Sequence, residues 1–122
     1  MSTVSQIKDS IKVRKNRVNL NLTLIGFKER EHSVLYSPAL DMYAYGDNND
    51  SAFQSFHETI SLYIDHQFEE NTLEKDLKRL GWQKSKHFKT KFSPPSYNPS
   101  DIMSKRGITN FKLLEKRLEL QA

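Results

Sequence analysis

Histidines and carboxylates are the side chains of this chain that could bind a metal or transfer protons, but their spacing supports neither role. His57 and His66 are nine residues apart on one predicted helix, a rotation of about 900° that places them on opposite sides. Asp41 and Asp47 flank a predicted strand at turn positions, where Asp is common for structural reasons. The first predicted strand has no Asp or Glu that could begin a carboxylate cluster for divalent metal. We therefore predict no metal site and no cofactor.

Motifs for nucleophilic catalysis and phosphate binding are also missing from the sequence. The chain has no Cys, which excludes cysteine nucleophiles, thiolate metal sites and disulfides. None of the Ser residues lies in a nucleophile elbow. The four Gly residues are isolated and fit turns and caps better than a phosphate-binding loop. We predict that the protein is not an enzyme and has no catalytic residues.

Charge is the most informative property of the sequence, because it is unevenly distributed. The net charge is +4, yet residues 1–20 carry +4, residues 21–81 carry −6 and residues 82–122 carry +6. The two basic ends are either separate solvated arms or the two parts of one basic surface. One joint surface would attract nucleic acid or an acidic partner.

The basic segments contain a candidate nucleic-acid surface. Residues 82–92 interleave Lys and His with Trp82, Phe88 and Phe92, a pattern that can contact phosphates and stack on unpaired bases. The alternative is a strand whose aromatic side chains enter the core while its Lys side chains face water. The predicted nucleic-acid-binding residues are Lys12, Arg14, Lys15, Arg17, Lys84, Lys86, Lys89 and Lys91.

The acidic middle of the chain predicts a different surface. Its carboxylates could meet a basic partner protein electrostatically. The predicted partner-binding residues are Glu58, Asp65, Glu69, Glu70, Glu74 and Asp76.

Length and composition indicate one globular domain. The 122 residues include 36% hydrophobic residues, with seven Phe, five Tyr and one Trp, which is enough for a single core. No apolar run approaches the roughly 18 residues that a bilayer span needs. The first residues lack the apolar region of a secretory signal. We predict a cytoplasmic protein without membrane contact.

Hydrophobic periodicity predicts an α+β fold. Alternating apolar residues predict strands over residues 17–27, 33–36 and 42–45, joined as a three-stranded antiparallel meander. Apolar residues at three- and four-residue spacing predict an amphipathic helix over residues 49–69. A short second helix is expected to begin at a capping box of Asn71 and Glu74 and to end at Gly81.

The rest of the chain is harder to interpret. The pattern of residues 82–92 predicts a basic strand. Residues 93–110 are interrupted by Pro, so we expect an irregular excursion there. Residues 111–120 fit both a helix and a strand, and we favour the strand. The predicted organisation is an arm over residues 1–16 that can join the first strand, a domain over residues 17–92 and a tail over residues 93–122.

One segment carries a family resemblance. Residues 34–47, VLYSPALDMYAYGD, precede the amphipathic helix and resemble the HicB-like antitoxin domain, with Pro38, Leu40, Gly46 and Ala52 at matching positions. Residues 71–82 are similar to a branch of HicB-like proteins that stand alone in bacterial genomes. The resemblance covers about residues 18–88. It implies a partial RNase H-like two-layer sandwich, with three antiparallel strands, a helix and one more strand.

The resemblance also implies a function. HicB-like antitoxins bind a small toxin that degrades RNA, and many repress their operon through a C-terminal DNA-binding module. Here thirty residues follow Phe92, with three Pro among the first seven, too short and too broken for that module. We predict a bacterial interaction protein that neutralises a small protein partner and forms a homodimer. The alternatives are a nucleic-acid-binding module or a structural homodimer whose tail strand joins its neighbour's sheet.

Overall fold

A computed structural model describes residues 9–15, 17–87 and 90–121 of the chain. These residues form one antiparallel sheet with helices packed on it, which confirms the α+β class. The elements are β1 (Ser10–Arg14), β2 (Arg17–Glu29), β3 (His32–Ser37), β4 (Met42–Gly46), α1 (Asn49–Glu70), α2 (Leu73–Arg79), β5 (Gln83–Lys84), β6 (Lys91–Ser93), α3 (Pro99–Lys105) and β7 (Phe111–Gln121).

The long strand β2 organises the sheet. Along one edge it pairs with β7 over residues 17–27. It also pairs with β1 over residues 17–21 and with β3 over residues 25–29. Because a strand accepts one neighbour per edge at each position, β1 and β3 lie end to end along the edge opposite β7. The predicted meander of β2, β3 and β4 is confirmed, and β6 and β5 continue the sheet beyond β1.

The helix α1 covers one face of this sheet. The alternating apolar side chains of residues 18–24 are buried against Phe56 and Ile60 of α1, as a half-buried strand and an amphipathic helix require. The helix begins with a capping box: the side chain of Asn48 accepts the Ser51 N–H at 2.9 Å, and the Ser51 hydroxyl accepts the Asn48 N–H at 3.2 Å. The predicted helix is confirmed to within one residue at its end.

The junction between α1 and α2 corrects the predicted capping box at Asn71. Asn71 has φ of 55° and ends α1 in the left-handed conformation, which Asn tolerates better than most residues. Thr72 precedes α2 without a capping hydrogen bond from its side chain. The other end is as predicted: Gly81 has φ of 99°, and the Trp82 N–H donates to the Leu77 carbonyl at 2.9 Å, as in a Schellman cap.

Residues 82–92 form a hairpin and not the single strand that we predicted. β5 and β6 pair in antiparallel fashion, with Lys84 opposite Phe92, and the chain reverses between them. The reversal has none of the stronger turn residues Gly, Pro, Asn and Asp. Its signal is Ser85, whose hydroxyl accepts the His87 N–H at 3.2 Å, and a single Ser is too common to predict a turn. Phe88 and Lys89 lie outside the described residues.

Residues 93–110 contain α3, which corrects the expected irregular excursion. Asn98 caps this helix by accepting the Ser100 N–H at 2.9 Å, and Pro99 occupies the first turn. Met103 is fully buried on the second face of the sheet. The helix ends beside Arg106. Met103 belongs to a second core cluster with Ile25, Phe27, Val34 and Tyr36.

β7 confirms the strand interpretation of residues 111–120, and its partner is β2 of the same chain along eleven positions. Ile11, Phe92 and Leu120 belong to one core cluster with α1. The predicted boundaries after residues 16 and 92 therefore fall inside one sheet and one core. Of the predicted arm over residues 1–16, the structure describes residues 9–15.

The finer RNase H-like part of the fold prediction stays a prediction. The strand that follows the helices, β5, is two residues long and pairs with β6. Every strand pair in the described part of the chain is antiparallel.

Candidate functional site

The sheet face opposite α1 is covered at one end and open at the other. The cluster around Met103 covers the end formed by β3 and the last residues of β2. The other end is formed by β6, β1, the first half of β2 and the last half of β7. Lys12, Arg14, Arg17 and Asn19 are exposed there.

Strand register brings basic residues from both ends of the chain onto this open end. Lys91 lies opposite Lys12, and Lys12 lies opposite Asn19. Because directly opposed side chains of an antiparallel pair point to the same face, these positions form one row across the sheet. The described basic side chains on this face, which we call the basic sheet face, are Lys12, Arg14, Arg17, Lys91 and Arg117.

A shallow groove crosses the basic sheet face above β2. Lys12 stands on the β1 side of the groove, and Arg117 and Glu119 stand on the β7 side. Its floor includes the polar side chains of Asn19 and Asn21. An anionic group in this groove would meet cations from two strands, while the Glu119 carboxylate would oppose it.

The remaining predicted basic residues lie elsewhere. Lys84 Nζ is 2.8 Å from Glu74 Oε1, so this lysine points to α2 and not to the basic sheet face. Lys15 and Lys86 are exposed in the turns that follow β1 and β5. Lys89 lies outside the described residues. Lys12, Arg14, Arg17 and Lys91 are thus brought together, and Arg117 is a member that sequence reasoning missed because the β2–β7 register is not readable from the pattern.

The proposed stacking role of two aromatic residues is wrong. Trp82 is 2% exposed and Phe92 is 3% exposed, so neither ring is available to a base. The indole N–H of Trp82 donates to the Ala39 carbonyl at 2.8 Å, which satisfies its polar atom inside the core. Phe88 lies outside the described residues. The alternative interpretation, with aromatic side chains inside and lysines in water, holds for these two rings.

Two of the predicted acidic residues already have partners within the chain. Glu74 contacts Lys84 at 2.8 Å and Lys78 at 3.2 Å, and these hydrogen bonds lower the pKa of its carboxyl. Asp76 contacts Arg79 at 2.7 Å, and this hydrogen bond is the main cause of the lowered pKa of Asp76. A partner that binds either carboxylate would have to share it with these contacts.

The other predicted acidic residues lie on α1. Glu58, Asp65 and Glu69 follow one another at seven and four residues, which places them within about 60° of Leu62 around the helix. Leu62 is 70% exposed. We call Glu58, Leu62, Asp65 and Glu69 the α1 stripe. Glu70 is exposed at the end of the helix, beside the stripe.

A buried carboxylate fills the gap between β1 and β3. Asp9 is 4% exposed. One of its oxygens accepts the Thr23 N–H at 2.8 Å and the other accepts the Tyr97 hydroxyl at 2.9 Å. Burial raises the pKa of Asp9 although these hydrogen bonds act in the opposite direction, and burial also raises the pKa of Tyr97. On the edge of β2 opposite β7, Asp9 takes the place of the strand neighbour that is missing at Thr23.

Within the described ranges, no three His, Asp or Glu side chains lie close enough together to hold a metal ion. In the same part of the chain, none of the helices combines the length and the apolar character that crossing a membrane requires. Comparisons with protein-family models, with curated proteins and with solved structures gave no match.

Proposed function

We propose that the protein is a non-catalytic binding protein whose basic sheet face binds the phosphate backbone of nucleic acid. The observation that carries this proposal is the meeting of Lys12 and Lys91, from opposite ends of the chain, beside the groove that Arg117 borders. Lys12 opposes Lys91 directly, and Arg14 opposes Arg17. Opposed like charges destabilise a sheet, and a bound polyanion would offset that cost.

The chemistry of the face favours binding that is independent of base sequence. Lysine and arginine side chains contact phosphates, and these contacts position nucleic acid without reading it. Aromatic side chains are absent from the paired positions of the face that the structure describes, so base stacking contributes nothing there. If all five cations contact phosphates, the logarithm of duplex affinity falls with the logarithm of salt concentration with a slope of about −4.5.

The test compares two variants that lose the same charge. Lys12→Gln with Arg117→Gln removes two cations from the groove, whereas Lys75→Gln with Lys105→Gln removes two exposed cations from α2 and α3. Fluorescence anisotropy with short DNA and RNA would be recorded over a salt series. We expect the groove variant to lose about two units of slope, from about −4.5 to about −2.7 for duplex, and the control variant to keep the wild-type slope.

Two results would overturn the proposal. One is an equal loss in both variants, because affinity would then follow net charge and not this face. The other is the absence of any complex with DNA or RNA at low salt.

A second candidate function is the binding and neutralisation of a small protein partner, as in HicB-like antitoxins. Leu62 favours it, because a leucine that is 70% exposed between carboxylates offers an apolar contact with charged surroundings. The resemblance of residues 34–47 to the HicB-like antitoxin domain also supports it. HicB-like membership and the partial RNase H-like fold belong to this candidate.

The second candidate is tested by affinity capture from extract of the native cells, with and without nuclease treatment. Glu58→Lys with Glu69→Lys reverses two charges of the α1 stripe, and Glu29→Lys with Glu31→Lys reverses two exposed charges near the β2–β3 turn. We expect one small basic protein to be captured by the wild type and by the turn variant, and to be lost from the stripe variant. Capture that disappears after nuclease treatment would contradict this candidate and favour the first.

A further inference from the structure

The outer edge of β7 is a long row of backbone groups. Phe111–Gln121 pairs with β2 along one edge. Among the described strands none pairs with its other edge. Eleven residues at about 3.4 Å each expose an edge of roughly 35 Å. Such an edge is a template for another strand unless the protein protects it.

Short length, Pro, bulges and charged side chains protect edge strands, and among its eleven described residues β7 has only the last of these. It carries charges of both signs, and mixed charges admit only a strand whose charges match. The charged residues are Lys112, Glu115, Lys116, Arg117 and Glu119.

We propose that two copies of this chain join β7 to β7 in antiparallel fashion, with a two-fold axis at Lys116. This inference goes beyond nucleic-acid binding and stands without it. In this register Glu115 opposes Arg117 of the second copy, and Arg117 opposes the second copy's Glu115. Leu114 and Leu118 oppose one another in the same reciprocal way. All eleven residues of β7 are paired, from Phe111 opposite Gln121 onward.

Burial supports this register. Leu114 and Leu118 pack only partly against the main core, because β7 is the edge, and the second copy would cover their outer sides. Lys116 opposes its own copy at the axis, but its Nζ lies 4.3 Å from the centroid of the Phe53 ring on α1. That contact directs the ammonium group toward the helix, which reduces the repulsion across the axis.

Charge excludes the adjacent registers. An axis at Arg117 would oppose Arg117 to itself and Glu115 to Glu119, and an axis at Glu115 would oppose Glu115 to itself. Like charges directly opposite destabilise an antiparallel pair. An axis at Leu118 matches Arg117 with Glu119 but shortens the pairing to residues 115–121.

The test is a charge exchange in the full-length chain, purified free of nucleic acid and followed by analytical ultracentrifugation. Glu115→Arg alone and Arg117→Glu alone each replace two attractive pairs by two repulsive ones. We expect each to raise the dimer dissociation constant by about tenfold or more. The double variant restores both attractive pairs and should return to within about threefold of the wild type.

Glu119→Arg is the control, because Glu119 opposes the uncharged Leu113 in the proposed register and Arg117 in the Leu118 register. It should leave the dimer unchanged. Thermal unfolding by circular dichroism establishes that every variant is folded. A wild type that is monomeric at all concentrations, a dimer insensitive to both single substitutions, or a dimer weakened by Glu119→Arg would overturn the proposal. None of these sedimentation results depends on nucleic acid. The dimer can therefore be rejected while the proposed function stands, and the reverse.

Discussion

Asp9 is a buried carboxylate in the gap between β1 and β3. Its folded-state pKa is raised by burial, so the folded protein binds this proton more tightly than the unfolded chain does. The stabilising effect of the proton is therefore complete below the unfolded pKa and is lost as pH rises through the folded pKa. Above the folded pKa, the ionised Asp9 makes the fold less stable than it would be with a neutral group.

Asp9→Asn isolates this effect, because the amide is neutral at every pH and its oxygen can still accept the Thr23 N–H. We expect the free energy of unfolding of the wild type to fall relative to that of the variant as pH rises above the unfolded-state pKa of about 4. Urea denaturation of both proteins from about pH 4 upward measures the difference, in which the carboxyls that do not interact with Asp9 cancel. Parallel pH profiles would contradict a raised pKa at Asp9.

Asp9→Ala is a harsher change with a different expectation. It removes the acceptor of the Thr23 N–H in the buried gap, and an unpaired buried donor costs about 1–3 kcal/mol. Comparing the Ala and Asn variants at one pH therefore separates the hydrogen bond from the charge. An Ala variant as stable as the Asn variant would show that water satisfies Thr23.

Glu119 is the acidic residue that borders the basic groove, and its removal is expected to strengthen polyanion binding. A unit charge at about 4 Å in water is worth about 1 kcal/mol, so Glu119→Gln should increase affinity roughly two- to fivefold at low salt. Glu29→Gln makes the same change in net charge at the far end of β2 and serves as the control. Fluorescence anisotropy with one oligonucleotide compares them, and a larger gain from Glu29→Gln would count against the groove.

At the scale of elements, local patterns were predictable and distant pairings were not. β2 and α1 follow from alternation and from three- and four-residue spacing within the segments themselves. α3 carries its own signal, Asn98 followed by Pro99 at the start of a helix. Pro94, Pro95 and Pro99 together are equally typical of a break in regular structure, which is why the sequence favoured an irregular segment. Asn71 could serve either helix, and only the backbone conformation decides that it ends α1.

The candidate surface shows the same limit. Lys12, Arg14 and Arg17 were identifiable as a basic group, because they are neighbours in the sequence. Their meeting with Lys91 and Arg117 depends on β1–β6 and β2–β7 registers that join segments about 80 to 100 residues apart. Hydrophobic periodicity does not contain information on such registers, since it indicates which face of a strand is buried and not which strand lies beside it.

α3 has two buried residues, Pro99 and Met103. Met103 is fully buried against the second face of the sheet, and Met→Ala at such a site costs about 2–5 kcal/mol. We expect Met103→Ala to lower the free energy of unfolding by that amount, as measured by urea denaturation. Ser104→Ala, at the exposed neighbouring position, should change it by less than about 0.5 kcal/mol. Similar values for both would show that α3 does not stabilise the fold.

For the whole molecule, the two proposals together predict how binding depends on duplex length. A two-fold axis perpendicular to the sheet turns both basic sheet faces to the same side. The two Lys12 positions are then five strand spacings apart, about 24 Å, and about 20 Å apart along the strands. The resulting separation of roughly 31 Å corresponds to about nine base pairs of duplex. A duplex of six base pairs can engage one face, and one of fourteen can engage both.

Hairpin-capped duplexes of these two lengths provide the test. We expect the wild type to bind the longer duplex at least about a hundredfold more tightly, because the second face binds at high effective concentration. The Glu115→Arg variant places like charges opposite one another where the two β7 strands meet, so it should bind both lengths with similar affinity. Its added charge raises affinity for either duplex but cannot create a dependence on length. Equal length dependence in both proteins would mean that one face binds alone, whatever the oligomeric state.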